Sequence, residues 1–192
     1  DKVADLANAC CRWEPVAQCP RQLFARQAVP IVWDFAEGVP IGESSGSWDV
    51  MVDRFVQLLS TSGSDWGISS PHQASATQHP LPDDAAQALI TDPPYYDAVP
   101  YADLSDFFYV WLRRTLGRDY PDLLRDPLSP KDEEAIWNPS RVYSKTGKPK
   151  DEAFYESQMA RALAEGRRVT APSGIGVVVF AHKSTSGWEA IL

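Results

Sequence analysis

A chain of 192 residues with 44% hydrophobic and 11% aromatic content carries enough apolar material for one ordinary domain, or a large piece of a bigger protein, and is not a disordered tail. Its formal net charge of −8 argues against nucleic-acid binding by the whole surface but leaves room for a local basic patch. No stretch reaches the ~18 apolar residues that cross a bilayer, and no signal-peptide pattern opens the chain, so a cytoplasmic protein with no membrane partner is expected.

The 16 prolines exceed the usual ~5% of residues and predict long, stiff loops. Val3, Leu6, Ala7 and Cys10 follow helical spacing weakly. Cys10, Cys11 and Cys19 lack metal-ligand spacing and are odd in number, which reads as buried or free thiols and no metal site. Gln22 to Glu37, "QLFARQAVPIVWDFAE", is apolar and broken by Pro30, with helix expected on either side. Ser47 reads as the N-cap of a helix with Val50, Met51, Phe55, Leu58 and Leu59 on one face. Ser60 to Asp84 is rich in Ser, Gly and Pro and reads as loop, with Gly67-Ile68-Ser69 a candidate short strand.

Ala88 to Thr91 is a short apolar run of the kind shown by parallel strands buried on both faces. Leu104, Phe107, Phe108 and Trp111 then mark one helix face, read as core, with Gly117 a natural stop after Arg113 and Arg114. Asn138 to Lys150 reads as a polar, basic loop. Asp151 opens a helix that turns Phe154, Tyr155, Met159, Ala162 and Leu163 inward, and "GIGVVVFA" (Gly174 to Ala181) is the clearest strand. Strand, helix, helix, strand at these distances predicts an α/β unit with a parallel sheet. Residues 1–84 are expected to be a helical, loop-rich region leading into that unit, which occupies 85–192. The chain opens on Asp1 without methionine, and the capping-box spacing of Ser186 and Glu189 starts a helix that stops at Leu192. A fragment of a longer protein is expected.

Asp92-Pro93-Pro94-Tyr95 falls at the carboxyl end of the first strand, where ligands gather in open α/β sheets. It resembles the catalytic signature of S-adenosylmethionine-dependent amino-methyltransferases. The longer stretch "ITDPPYYDAVPYADLSDFFYVWLRR" is similar to the large bacterial adenine-specific DNA methylases that contain a zinc ribbon and a domain of unknown function. "RQAVPIVWDFAE", "SSGSW" and "VVVFAHKSTSGWEAIL" are similar to that family too, so the resemblance runs with gaps from about Arg21 to the end. It implies a Rossmann-like methyltransferase fold, incomplete in this chain, with S-adenosyl-L-methionine as cofactor and DNA as partner. It also implies a setting in restriction-modification or anti-phage defence.

The chemistry suits the residue types. An exocyclic amine on an aromatic base is a poor nucleophile because its lone pair is delocalised. The Asp92 carboxylate and the Pro93 carbonyl form an acceptor pair that would hold the amine hydrogens out of the ring plane, and would stabilise the positive charge that develops on nitrogen. Pro93 and Pro94 hold the carbonyl with little local freedom, and Tyr95 would stack on a flipped base. Tyr96, Asp97 and Tyr101 are candidates to line the target pocket, with packing of the loop as the alternative. His182 and Lys183 follow the second strand on the ligand side and are candidates to touch substrate; a hydrogen bond from His182 to a neighbouring loop is the alternative. Arg141, Lys145, Lys148 and Lys150 stand in a segment without acids and are candidates for DNA-backbone contacts, against a solvated loop.

The Gly-rich turn after a strand that such enzymes use for the cofactor is missing. "GESSGSW" (Gly42 to Trp48) follows no strand, and "SGIG" (Ser173 to Gly176) precedes its strand. "ASATQHPLPDDAAQALITDPPYY" resembles the segment leading into the catalytic motif, although Gln87 stands where a carboxylate is usual. The chain thus holds the methyl-acceptor half of a site, and alone it is expected to be inactive. Three readings follow: a DNA adenine amino-methyltransferase; a methyltransferase of RNA bases or of a protein amide, the amide disfavoured by Asp92 where Asn would suit it; and a non-catalytic interaction module with this fold.

Overall fold

In the computed structural model, the residues described are 11–21, 23–24, 31–33, 38–44, 46–63, 67–97, 99–181, 185 and 188. The readings for Val3 to Cys10, for most of Gln22 to Glu37 and for the Ser186 capping box fall outside them. The chain divides into two compact units, Asp1–Ser69 and Ser70–Leu192.

In the first unit, β1 (Arg12–Glu14) and β2 (Cys19–Arg21) pair antiparallel, with Trp13 opposite Pro20. The connecting turn closes through Gln18 at φ 50°, a left-handed conformation. Cys11 is buried and Cys19 half-buried. Helix α1 (Trp48–Thr61) begins where Ser47 predicts it, but the capping bond is not made: the Ser47 hydroxyl is fully buried with no partner among the described residues. The apolar face of α1 is not buried among the described residues, since Phe55 and Leu59 stay 65% and 75% exposed. Gly67-Ile68-Ser69 forms no strand.

The second unit is built on two parallel strands, β3 (Ala86–Thr91) and β6 (Thr170–Val178), with Leu89 opposite Gly176 and Thr91 opposite Val178. Between them run α2 (Tyr101–Leu116), an antiparallel hairpin of β4 (Asn138–Tyr143) and β5 (Lys148–Lys150), and α3 (Glu152–Val169). This is a mixed α/β arrangement with a small parallel sheet. The strand predicted from Gly174 begins earlier, at Thr170, through a register shift between Ala86 and Ala88 on its partner. There a Cβ on Gly174 would lie 3.0 Å from the Gln87 and Ala171 carbonyl oxygens, so this glycine permits close approach of two backbones.

Helix α3 follows its prediction closely. Asp151 caps it by accepting from the Phe154 N–H at 2.9 Å, and Tyr155, Met159, Gly166 and Val169 are buried along one stripe. Gly166 lets the helix sit against the sheet, where a Cβ would meet Leu89 Cδ2 at 2.6 Å. Arg168 ties the chain entering β3 to the end of α3: it bonds the carbonyls of His79 (3.0 Å) and Leu81 (3.1 Å) and pairs with Asp83 (2.6 Å) and Glu165 (2.9 Å).

Two expectations about burial fail. β3 is not covered on both faces, since Ile90 is 75% exposed. The Phe107-to-Trp111 face of α2 is not core either: no residue of α2 is buried and Trp111 is 58% exposed. Periodicity shows that a helix has an apolar face but not that the chain supplies something to cover it. Helix α2 is held instead by polar ties. Glu134 accepts from the Ala102 N–H (2.8 Å), and the Asp106 carboxylate takes Ser129 (2.6 Å) and Lys131 (2.6 Å). Burial alone would raise the Asp106 pKa, but these hydrogen bonds outweigh it and the net shift is downward. No helix among the described residues is long and apolar enough to cross a membrane.

Candidate active site

The sheet stops at Thr91, whose carbonyl takes the last interstrand bond, from the Val179 N–H at 2.8 Å. Pro93 and Pro94 have no N–H to continue the ladder, and the chain turns away. Asp92 is exposed at this carboxyl end, Pro93 is buried, and Pro94 and Tyr95 are half-buried. The two proline carbonyls have different fates. Pro94 O accepts the Tyr155 hydroxyl at 2.6 Å and the Tyr96 N–H at 3.1 Å, whereas among the described residues nothing donates to Pro93 O. The motif therefore sets an exposed carboxylate next to a carbonyl that takes no hydrogen bond among the described residues.

On one flank of Asp92 stand aromatic rings. Tyr95 meets Phe180, just beyond β6, edge to face at 5.5 Å, and Phe180 meets Trp188 at 5.4 Å in the same way. The Asp92 carboxylate raises the Tyr95 pKa, first as hydrogen-bond partner of its hydroxyl, with burial adding to the effect. Tyr101, at the start of α2, has its pKa raised by burial and then by the Asp92 charge. Asp92, Tyr95 and Tyr101 thus form one electrostatic group. Asp92 also borders a cleft of about 750 Å³. Asp92, Pro93 and Pro94 form one side of it, the 73–79 loop a second, and Met159 and Ala162 of α3 with Tyr143 and Lys145 of the hairpin the rest.

Tyr96 turns inward. It is 5% exposed and packs on Tyr155 (5.0 Å) and Trp137 (5.2 Å) in the core. Burial, then a hydrogen bond to Glu152, push its pKa up. Packing is the outcome for this tyrosine, because a backbone at φ 56° sends its ring inward. Asp97 is exposed just beyond. His182 and Lys183 lie outside the described residues.

The segment from Asn138 to Lys150 is a hairpin, not a loop, and most of its cations are engaged. Arg141 grips both carboxylate oxygens of Asp103 (2.7 and 2.8 Å), and Lys145 pairs with Glu133. Lys150 is 1% exposed and donates to the carbonyls of Lys131 (2.6 Å) and Glu134 (2.9 Å). Lys148 alone is exposed without an ion pair among the described residues. The missing acids were distant in sequence and adjacent in space. Sequence reading also passed over Phe180, although its place at a strand's carboxyl end was a usable signal. It placed Tyr155 on an inward face but had no cue that its hydroxyl reaches Pro94. Among the described residues, no three His, Cys, Asp or Glu side chains converge to hold a metal.

No protein-family model, curated protein or solved structure matches the chain.

Proposed function

We propose that this chain carries the methyl-acceptor part of an S-adenosylmethionine-dependent amino-methyltransferase that acts on the exocyclic amine of a flipped base, adenine in DNA before others. One observation carries the reading. An exposed carboxylate, Asp92, and a carbonyl that takes no hydrogen bond among the described residues, Pro93 O, stand together at a strand end, beside a cleft and next to the Tyr95–Phe180 pair. Transfer between two molecules needs two adjoining sites with acceptors where they meet, and acceptors placed beside a cleft and an aromatic pair support that reading.

The cleft has the room that small-ligand sites require, roughly 300–1,000 Å³, and polar groups of both signs, including Glu133, Lys145 and Arg161. These residues fit one wall of a site for the sulfonium nucleoside, with the 73–79 loop and Pro93-Pro94 beside it. When bound, that cofactor supplies an electrophilic methyl group and leaves as a neutral thioether. Asp92 and Pro93 O would accept the two amine hydrogens, localise the lone pair and stabilise the cation formed as the N–C bond is made. Asp92 is exposed, so the proton then released from nitrogen passes from it to water. Tyr95, braced by Phe180, would stack on the base.

The test is transfer of a labelled methyl group to duplex DNA by the intact protein. Asp92→Ala is expected to abolish transfer with an unchanged far-UV spectrum, because the substitution falls after the last ladder bond. Undiminished turnover by Asp92→Ala would remove the basis of the reading. Labelling of RNA or protein but not DNA would favour the related readings of the acceptor.

A further inference from the structure

We infer that Tyr155 is a positioning residue for the acceptor pair: its hydroxyl holds the Pro94–Tyr95 peptide and thereby sets the direction in which the Tyr95 backbone departs relative to Pro93 O. The kinetic consequence rests on the methyl-transfer reading; the geometric claim does not. Only two torsions separate the peptide that carries Pro93 O from the peptide that leads into Tyr95. One is the φ of Pro94, locked by its ring. The other is its ψ, and a hydrogen bond to the Pro94 carbonyl fixes that as well. Because the next peptide is planar and trans, the same bond fixes the direction in which the Tyr95 backbone departs.

The anchor is suited to this. Tyr155 is fully buried on α3, and its 2.6 Å bond to Pro94 O is the one side-chain bond to the motif's backbone among the described residues. Burial raises its pKa, so the hydroxyl keeps its proton and remains a donor. One residue beyond the held peptide, Tyr96 adopts φ 56°, disfavoured for a side chain of this size. Its ring is wedged against Tyr155 at 5.0 Å and Trp137 at 5.2 Å, and its carbonyl takes the Trp137 N–H at 3.2 Å. Such a conformation persists where its surroundings over-determine it, and Tyr155 supplies both the hydrogen bond and a packing surface.

The experiment compares Tyr155→Phe with Met159→Leu in the intact protein, by amide hydrogen exchange and methyl-transfer kinetics. Tyr155→Phe keeps the ring and deletes only the hydroxyl, while Met159→Leu alters packing in the same buried cluster and keeps the hydroxyl. Exchange at the Tyr96 and Trp137 amides is expected to rise about tenfold in Tyr155→Phe, as loss of one hydrogen bond implies, and to stay near wild type in Met159→Leu. Turnover should fall on the order of tenfold or more with the donor KM unchanged, as for a group that orients and does not bind. Wild-type exchange in Tyr155→Phe, or an equal rise in Met159→Leu, overturns the inference. A selective rise in exchange in Tyr155→Phe, together with a wild-type protein that transfers no methyl group, would overturn the methyl-transfer reading and support the positioning role.

Discussion

Replacing Lys150 with methionine separates two roles for the basic hairpin. The Lys150 ammonium is 1% exposed, donates at 2.6 and 2.9 Å to two backbone carbonyls, and sits 5.3 Å from the centre of the Phe154 ring. Lys150→Met keeps most of the stem volume, so little cavity opens. It removes a charged donor from the Lys131 and Glu134 carbonyls, at about 1.5–3 kcal/mol each, although Glu134 O keeps the Ile136 N–H at 3.0 Å. Removing a desolvated charge recovers part of that loss, since a buried ion costs several kcal/mol. The net expectation is a destabilisation of about 2–4 kcal/mol, because both carbonyls lose a charged partner and gain none. With a urea slope of roughly 1–3 kcal/mol per molar, the unfolding midpoint should fall by about 0.7–4 M. The salt dependence of DNA binding should not change, because a buried ammonium reaches no phosphate; Lys148→Met should lower that slope by about one unit if its exposed charge makes such a contact. An unchanged midpoint together with a shallower salt slope for Lys150→Met would refute the argument.

The same lysine predicts a pH effect. Burial lowers its pKa below the usual 10.5. Between the folded value and 10.5 the unfolded chain binds the extra proton, so the stability of wild type relative to Lys150→Met should rise with pH across that window and level off above it; a fall in paired urea titrations contradicts this. Arg168→Met should free the 79–83 segment that its guanidinium holds at His79, Leu81 and Asp83, and speed proteolysis there, whereas wild-type cleavage would mean that the segment is held by other contacts. Tyr95→Ala should weaken binding of DNA with an unpaired adenine by about 1–3 kcal/mol while Tyr95→Phe does not; an equal loss in the phenylalanine variant would place the contribution in the hydroxyl beside Asp92.

Sequence by itself determined what depends on neighbours a few positions apart. Helix α3 was legible because its cap, its stripe of buried residues and its end are all local, and β3 because two prolines must end a strand. The resemblance of the motif was likewise contained in a short string, and with it the expectation that Asp92 and Pro93 act together. Tertiary structure decided what depends on distant partners. Arg141, Lys145 and Lys150 read as a free basic stretch because Asp103, Glu133 and the Lys131 and Glu134 carbonyls lie elsewhere in the chain, and only folding brings them to the hairpin. The prolines of β4 and β5 hid that hairpin from any alternation test. The adjacent tyrosines of the motif part company through one left-handed backbone torsion at Tyr96, which a non-glycine residue does not advertise. Whether an apolar face is buried was equally invisible for α1 and α2, because amphipathic spacing records which side seeks cover, and cover is supplied, or withheld, by the rest of the fold.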